Sequence, residues 1–117
     1  MLTKNQTGSK CTLGEYELYE YINVTTKLFG GISVNDKYEK PVEGYMVAVK
    51  NFDTLEEMLS EELRSDEYYG TWLDENTGIT YYDISRNFLN KEMALMFAKL
   101  RRELAIYDID NQTSIYL

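Results

Sequence analysis

The sequence predicts an α+β fold: one domain whose mainly antiparallel sheet carries two or three helices packed on it, in the order β-β-α-β-β-α-β. Three observations lead there. Apolar residues recur at helical spacing behind a cap at Thr54 and again behind Asn90. Short runs rich in β-branched and aromatic residues fill much of the remaining chain. A turn signal, Asp74-Glu75-Asn76-Thr77-Gly78, joins two of those runs as a hairpin. A chain of 117 residues suits a single domain. At that size folding buries about two thirds of the extended chain's surface, enough for a core without disulfide or metal.

Residues 1–11 are polar and aperiodic, which predicts a flexible N-terminus and leaves 12–117 as the domain. Thr12 and Glu15 have capping-box spacing ahead of Tyr16, Tyr19 and Ile22, predicting a short helix over 13–22. The alternation over 15–18 suits a strand equally. KLFGGISV at 27–34 is β-rich, with Gly30-Gly31 marking a bulge or close approach. After a turn at Asn35-Asp36 and the only proline, Pro41, the run YMVAV at 45–49 reads as a central strand buried on both faces.

Thr54 and Glu57 form a second capping box. Leu55, Met58, Leu59 and Leu63 follow as one stripe, predicting a helix of about three turns with Glu56, Glu57, Glu61 and Arg64 opposite. Strands at 69–73 and 79–85 flank the hairpin, with Gly78 left-handed and Trp72 opposite Tyr81 as a core anchor. Asn90 caps a helix over 91–104 whose buried side would hold Met93, Met96, Phe97, Leu100 and Leu104, with Arg101 and Arg102 favouring its C-terminal dipole. AIYDI at 105–109 closes the sheet, and 115–117 can add another strand.

Histidine is absent, which removes the commonest general base, Ser-His and Cys-His dyads and the usual zinc sites. The single cysteine, Cys11, cannot form an internal disulfide and reads as an incidental thiol in a reducing compartment. The N-terminal residues lack an apolar signal region, and no apolar run approaches the ~20 residues of a membrane span. A cytoplasmic protein without membrane contact is expected, in the bacterial host. Gly30-Gly31 lacks the spacing of a phosphate loop.

The net charge of −8 is segregated. Residues 51–85 carry ten acids and one base, whereas the flanking segments are nearly balanced. A solvated face that keeps the chain soluble is the plain reading; a surface built to meet something basic is the sharper one. Carboxylates could also hold Mg²⁺: Asp74 and Asp83 flank the hairpin, and Asp108 and Asp110 lie two apart on the last strand. No lysine or histidine attends them in a recognisable spacing, so the chain reads as non-enzymatic, with no catalytic or metal-binding residue and no cofactor. Lys99, Arg101, Arg102, Arg86 and Lys91 could touch phosphates, yet the chain is acidic overall, so direct nucleic-acid binding is not expected.

A protein-binding face remains. Its carboxylates would be Glu56, Glu57, Glu61, Asp66, Glu67, Asp74 and Glu75, with Tyr68 and Tyr69 as anchors at the helix-strand corner. Carboxylates spaced along a helix approach the charge spacing of duplex nucleic acid, about one per 1.7 Å of axis, so such a face can occupy a basic channel.

Residues 70–87, GTWLDENTGITYYDISRN, precede a helix and then LAIYDIDN at 104–111. Together they resemble a group of small proteins of bacteriophages and conjugative elements. Those share the pattern G-x-W-x-D-x-x-T-G-x-x-Y-x-D-[IV]-S, a helix, and A-I-[WYF]-D. Gly30-Gly31 and EGYMVAV at 43–49 echo the same group, so the resemblance spans 27–111. It implies an accessory protein of a mobile element, a setting in which small acidic proteins inhibit host defence as anti-CRISPR or anti-restriction factors. The expected function is therefore a non-enzymatic inhibitor whose acidic surface binds the basic channel of a host nucleic-acid-processing enzyme, a Cas9-type effector first among them. The alternative is an interaction module, dimeric through an exposed sheet edge, whose acids serve solubility alone. A Mg²⁺-dependent carboxylate enzyme stands third.

Overall fold

Nine elements succeed one another along residues 13–117, the part of the chain that the computed structural model describes. They are α1 (Leu13–Phe29), β1 (Gly31–Val34), β2 (Tyr45–Phe52), α2 (Leu55–Leu59), β3 (Glu67–Leu73), β4 (Thr80–Phe88), α3 (Lys91–Leu100), β5 (Ala105–Asp108) and β6 (Thr113–Tyr116). The strands form one sheet in the order β1-β3-β4-β2-β5-β6, and every neighbouring pair is antiparallel. The α+β class and the succession of strands and helices are those expected, with α1 in front and β6 behind.

Register decides which side chains meet. Side chains alternate between the faces of a strand, and the pairs Tyr69↔Ile84, Val34↔Tyr69 and Ile106↔Ile115 put these residues on one face. All three helices cover that face. Leu18 and Ile22 of α1 and Leu55 and Met58 of α2 pack on Ile32, Val34, Tyr69 and Ile84. Ala94 and Ala98 of α3 pack on Val47 and Ile106 at the other end. The opposite face carries Ser33, Gly70, Asp83, Ser85, Ala48, Ala105 and Ser114, and no helix of the described chain covers it. Its small side chains let the sheet curl: Ser33 of the first strand and Ser114 of the last line the same cavity, about 230 Å³ in volume.

Helix α1 runs through residues that the sequence assigns to a strand. Leu18, Ile22 and Thr26 recur every fourth residue and are buried, so the stripe continues past residue 22. Thr26 completes it by satisfying itself: its hydroxyl donates to the Ile22 carbonyl at 2.7 Å and lies 2.5 Å from the Thr71 hydroxyl of β3. Lys27, Leu28 and Phe29 therefore belong to the helix, which ends at Gly30, whose φ is 87° and whose N–H donates to the Thr26 carbonyl at 2.8 Å. Thr12 of the expected capping pair and residues 1–11, expected to be flexible, lie outside the described residues.

Helix α2 is shorter than expected. Its cap forms as the spacing predicts, with the Glu57 N–H donating to Thr54 Oγ1 at 3.1 Å. The helix stops at Leu59, where the Ser60 hydroxyl donates back to the Glu57 carbonyl at 2.6 Å. Acids at Glu61 and Glu62 oppose its negative end and nothing basic occupies the last turn, so continuation is disfavoured. Leu63 still reaches the core, from an irregular segment.

The hairpin closes as predicted, with Gly78 at φ 76° and Trp72 directly opposite Tyr81. The two rings stack at 5.5 Å. They do so on the open face, where Trp72 is 58% exposed, so it is not the core anchor that its position suggested. Strand β2 is central, as expected, but continues to Phe52 through a bulge between Ala48 and Lys50.

The largest correction concerns α3. Its buried side is Ala94 and Ala98, with Leu95 and Phe97 beside them, while Met93, Met96 and Leu100 point to solvent. Leu104 lies beyond the helix and is also exposed. Two alanines let the helix axis approach β2 and β5 closely, and Arg101 pins that orientation. Its guanidinium donates to the Ala48 carbonyl at 3.1 Å and to the Val49 carbonyl, both at the bulge, and lies over the Phe97 ring. Arg101 thus serves the sheet rather than the helix dipole. Asn90 caps α3 as expected, accepting from the Met93 N–H at 2.9 Å. Asn90→Ala is expected to cost about 1 kcal/mol in urea unfolding, with the native fold retained.

Candidate functional site

The acids of the middle third fall into three groups rather than one patch. Glu61, Asp66 and Glu67 are locally engaged: Glu61 pairs with Lys50 at 3.2 Å, Asp66 with Arg86 at 2.8 Å, and Glu67 accepts the Arg64 N–H at 2.8 Å. Asp74 and Glu75 sit at the hairpin tip, where Asp74 accepts the Asn76 N–H at 3.0 Å. The length of β3, which begins at Glu67, separates that tip from Asp66 and Glu67, on the order of 20 Å. Glu56 and Glu57 form the third group, on the helix-covered side.

The two tyrosines divide as well. Tyr69 is 5% exposed and its hydroxyl donates to the Glu61 carbonyl at 2.8 Å, so its ring holds the core and cannot serve as a surface anchor. Tyr68 pairs across from Ser85 on the open face, the side away from α2. Alternation along β3 made the split legible in principle, since adjacent strand residues point oppositely.

What the sequence could not disclose is that α1 brings further acids to α2. The Tyr19 hydroxyl donates to Glu56 Oε2 at 3.3 Å, tying the two helices together. Burial and the carboxylates of Glu56 and Glu20 raise the Tyr19 pKa, so Glu20 stands close to that junction. Glu17 lies one turn earlier on the outer side of α1; burial and Glu17 likewise raise the Tyr38 pKa. Glu17, Glu20, Asp53, Glu56 and Glu57 are all exposed, and among the described residues none of them makes an ion pair. Besides Glu56, which accepts the Tyr19 hydroxyl, Glu57 has a folding task, its carboxylate accepting the Asp53 N–H at 3.3 Å.

The open face holds a second feature. A cleft of about 690 Å³ runs past Gly31, Ser33, Trp72, Asp74, Glu75 and Tyr107. Deeper in the curl, Asp83 lies against β3 so closely that a Cβ on Gly70 would come within 2.9 Å of its Oδ1. Its carboxylate accepts the Ser85 hydroxyl at 2.9 Å. Burial pushes the Asp83 carboxyl up to about 6; the Ser85 hydrogen bond opposes this and Glu103 adds to it.

The remaining carboxylates do not converge. Asp110 lies in the turn after β5, so it does not share a strand face with Asp108. Asp108 is buried and engaged by Asn111, whose side chain donates at 2.8 Å and whose N–H donates at 3.2 Å. Those hydrogen bonds, the side-chain one first, hold its carboxyl below the usual range. Among the described residues, no three cysteine, aspartate or glutamate side chains gather as a metal site would require. No described helix is long and apolar enough to cross a membrane.

Comparison with protein-family models, curated proteins and solved structures finds no match for the chain.

Proposed function

We propose that the chain is a non-enzymatic inhibitor carried by a phage or conjugative element. Its α1–α2 carboxylates enter the basic nucleic-acid-binding channel of a host defence nuclease, a Cas9-type effector above others. The observation that carries this reading is the set of exposed carboxylates formed by Glu17 and Glu20 on α1 and by Asp53, Glu56 and Glu57 at the start of α2, two helices tied through Tyr19, with no ion pair to any of them among the described residues. Carboxylates left unpaired on a rigid surface keep their field available to a partner, and complementary potentials accelerate encounter. The mobile-element setting and the choice of nuclease rest on the resemblance of 27–111.

The test is displacement. Purified protein added to a Cas9-type effector holding labelled duplex DNA is expected to release the DNA at low salt and to lose that ability as salt rises. Undiminished DNA binding at every protein concentration would remove this reading.

A second reading, an interaction module in which the acids only solubilise, draws support from the apolar residues that α3 turns outward.

A further inference from the structure

The stripe that the sequence assigned to the core of α3 is on the surface. Met93 is 52% exposed, Met96 57% and Leu100 79%, with Leu89 and Leu104 still more open than Met96 just outside the helix. Apolar side chains at this spacing on one helix are expected to be covered. A shallow groove along the stripe is lined by Glu92, Leu95, Met96, Lys99 and Leu100. Glu92 and Lys99 are seven residues apart, two helical turns, and so stand on the same flank of the stripe. Both are exposed, and neither has an ion-pair partner among the described residues.

This arrangement selects its own occupant. When two identical helices pair antiparallel about a two-fold axis, the same flank of each copy comes together with its polarity reversed. A like-charged flank would then repel itself. A flank with Glu at one end and Lys at the other attracts itself twice. We propose that two copies of this chain pair through α3, antiparallel about a two-fold axis passing between Leu95 and Met96. Glu92 of each copy then faces the partner's Lys99. Met96 packs beside its symmetry mate, and Leu89 lies at the Leu100–Leu104 end of the other copy. A parallel or off-centre partner gains no such double pairing. The contact goes beyond the inhibitory reading and leaves it intact, because α1 sits over β1 and β3 whereas α3 sits over β2 and β5. Each copy would keep its α1–α2 carboxylates open, making the pair bivalent.

One ten-residue helix with flanking leucines offers less than the ~800 Å² per partner of a standard interface, so the dimer should dissociate on dilution. Sedimentation velocity of the full chain from about 5 µM to about 500 µM is expected to move from monomer to dimer. Glu92→Lys alone and Lys99→Glu alone should each weaken the dimer by about tenfold or more. The double exchange Glu92→Lys/Lys99→Glu, which keeps net charge, should restore it to within a few-fold. Unchanged circular dichroism and melting in all three variants establish that folding is not the cause. A monomer throughout the concentration range overturns the proposal and points to a different protein's apolar helix as the cover. A dimer indifferent to either single exchange overturns it too, and points to the exposed edge of β6.

Discussion

Asp83→Asn is expected to stabilise the protein at pH 7.5 by about 1–3 kcal/mol, an unusual gain for a change at a site with a hydrogen-bonded partner. The sign follows from proton linkage. The Asp83 carboxyl holds its proton up to about 6 in the fold, chiefly because packing against β3 desolvates it, and no cation pairs with it among the described residues. In the unfolded chain an aspartate ionises near ~3.9. Between those values the folded state binds more protons, so native stability falls as pH rises through the window from about 4 to about 6. Above it, ionised Asp83 burdens the fold, and its partial exposure in the cavity that Ser33 and Ser114 also line reduces that burden to the range given. Asparagine keeps an oxygen for the Ser85 hydroxyl and carries no charge. Urea unfolding of the variant should therefore lose the decline between pH 4 and 6. The loss of stability at lower pH should remain, since Asp108 ionises below its usual range and its contribution disappears on protonation. An unchanged slope across that window would show that Asp83 is better solvated than the cleft implies.

The second large effect is on association. Reversing Glu17, Glu20 and Glu56 to lysine is expected to weaken binding to the basic partner by at least about 30-fold, roughly 2 kcal/mol, at low ionic strength. These three are chosen because Glu57 helps start α2 and Glu61 pairs with Lys50, so their loss would mix folding with binding. Glu56 accepts one long hydrogen bond from Tyr19, so the melting temperature should shift little. The triple variant should also bind more weakly than a second triple reversal of the same net charge, Glu43→Lys/Glu62→Lys/Glu75→Lys, at exposed acids away from that face. Equal affinity for both variants would mean that charge position is immaterial and that net charge alone matters.

Local signals carried much of the architecture. The Thr54 and Asn90 caps, the left-handed Gly78 and the Trp72–Tyr81 pairing all depend on residues within a few positions, and each forms as its spacing indicates. What failed needed knowledge of the third dimension. Helix α1 extends over KLF because Thr26 finds a hydroxyl on β3, 45 residues away. Helix α3 is rotated because Arg101 reaches bulge carbonyls on β2, and hydrophobicity alone ranks methionine above alanine at the sheet. The acids posed a similar difficulty. Their concentration in sequence is real, yet chain direction takes Asp74 and Glu75 to the far end of β3, while a helix from outside the segment supplies Glu17 and Glu20. A count of charges along the chain cannot see that regrouping. The Asp83 cleft was equally hidden, because a single aspartate on a strand looks solvated until the sheet curls around it.

The central claim is that the exposed acids of α1 and α2 act together as one electronegative face toward a basic channel. Its most direct measurement is the affinity of the unaltered protein for a Cas9-type effector across a salt series from about 50 to about 500 mM. Cooperating carboxylates predict an affinity that falls continuously, by about a hundredfold or more over that range, as screening shortens the reach of each charge. Tight binding whose strength is flat across the series would contradict it, because an apolar contact, and not the acids, would then be holding the two proteins together.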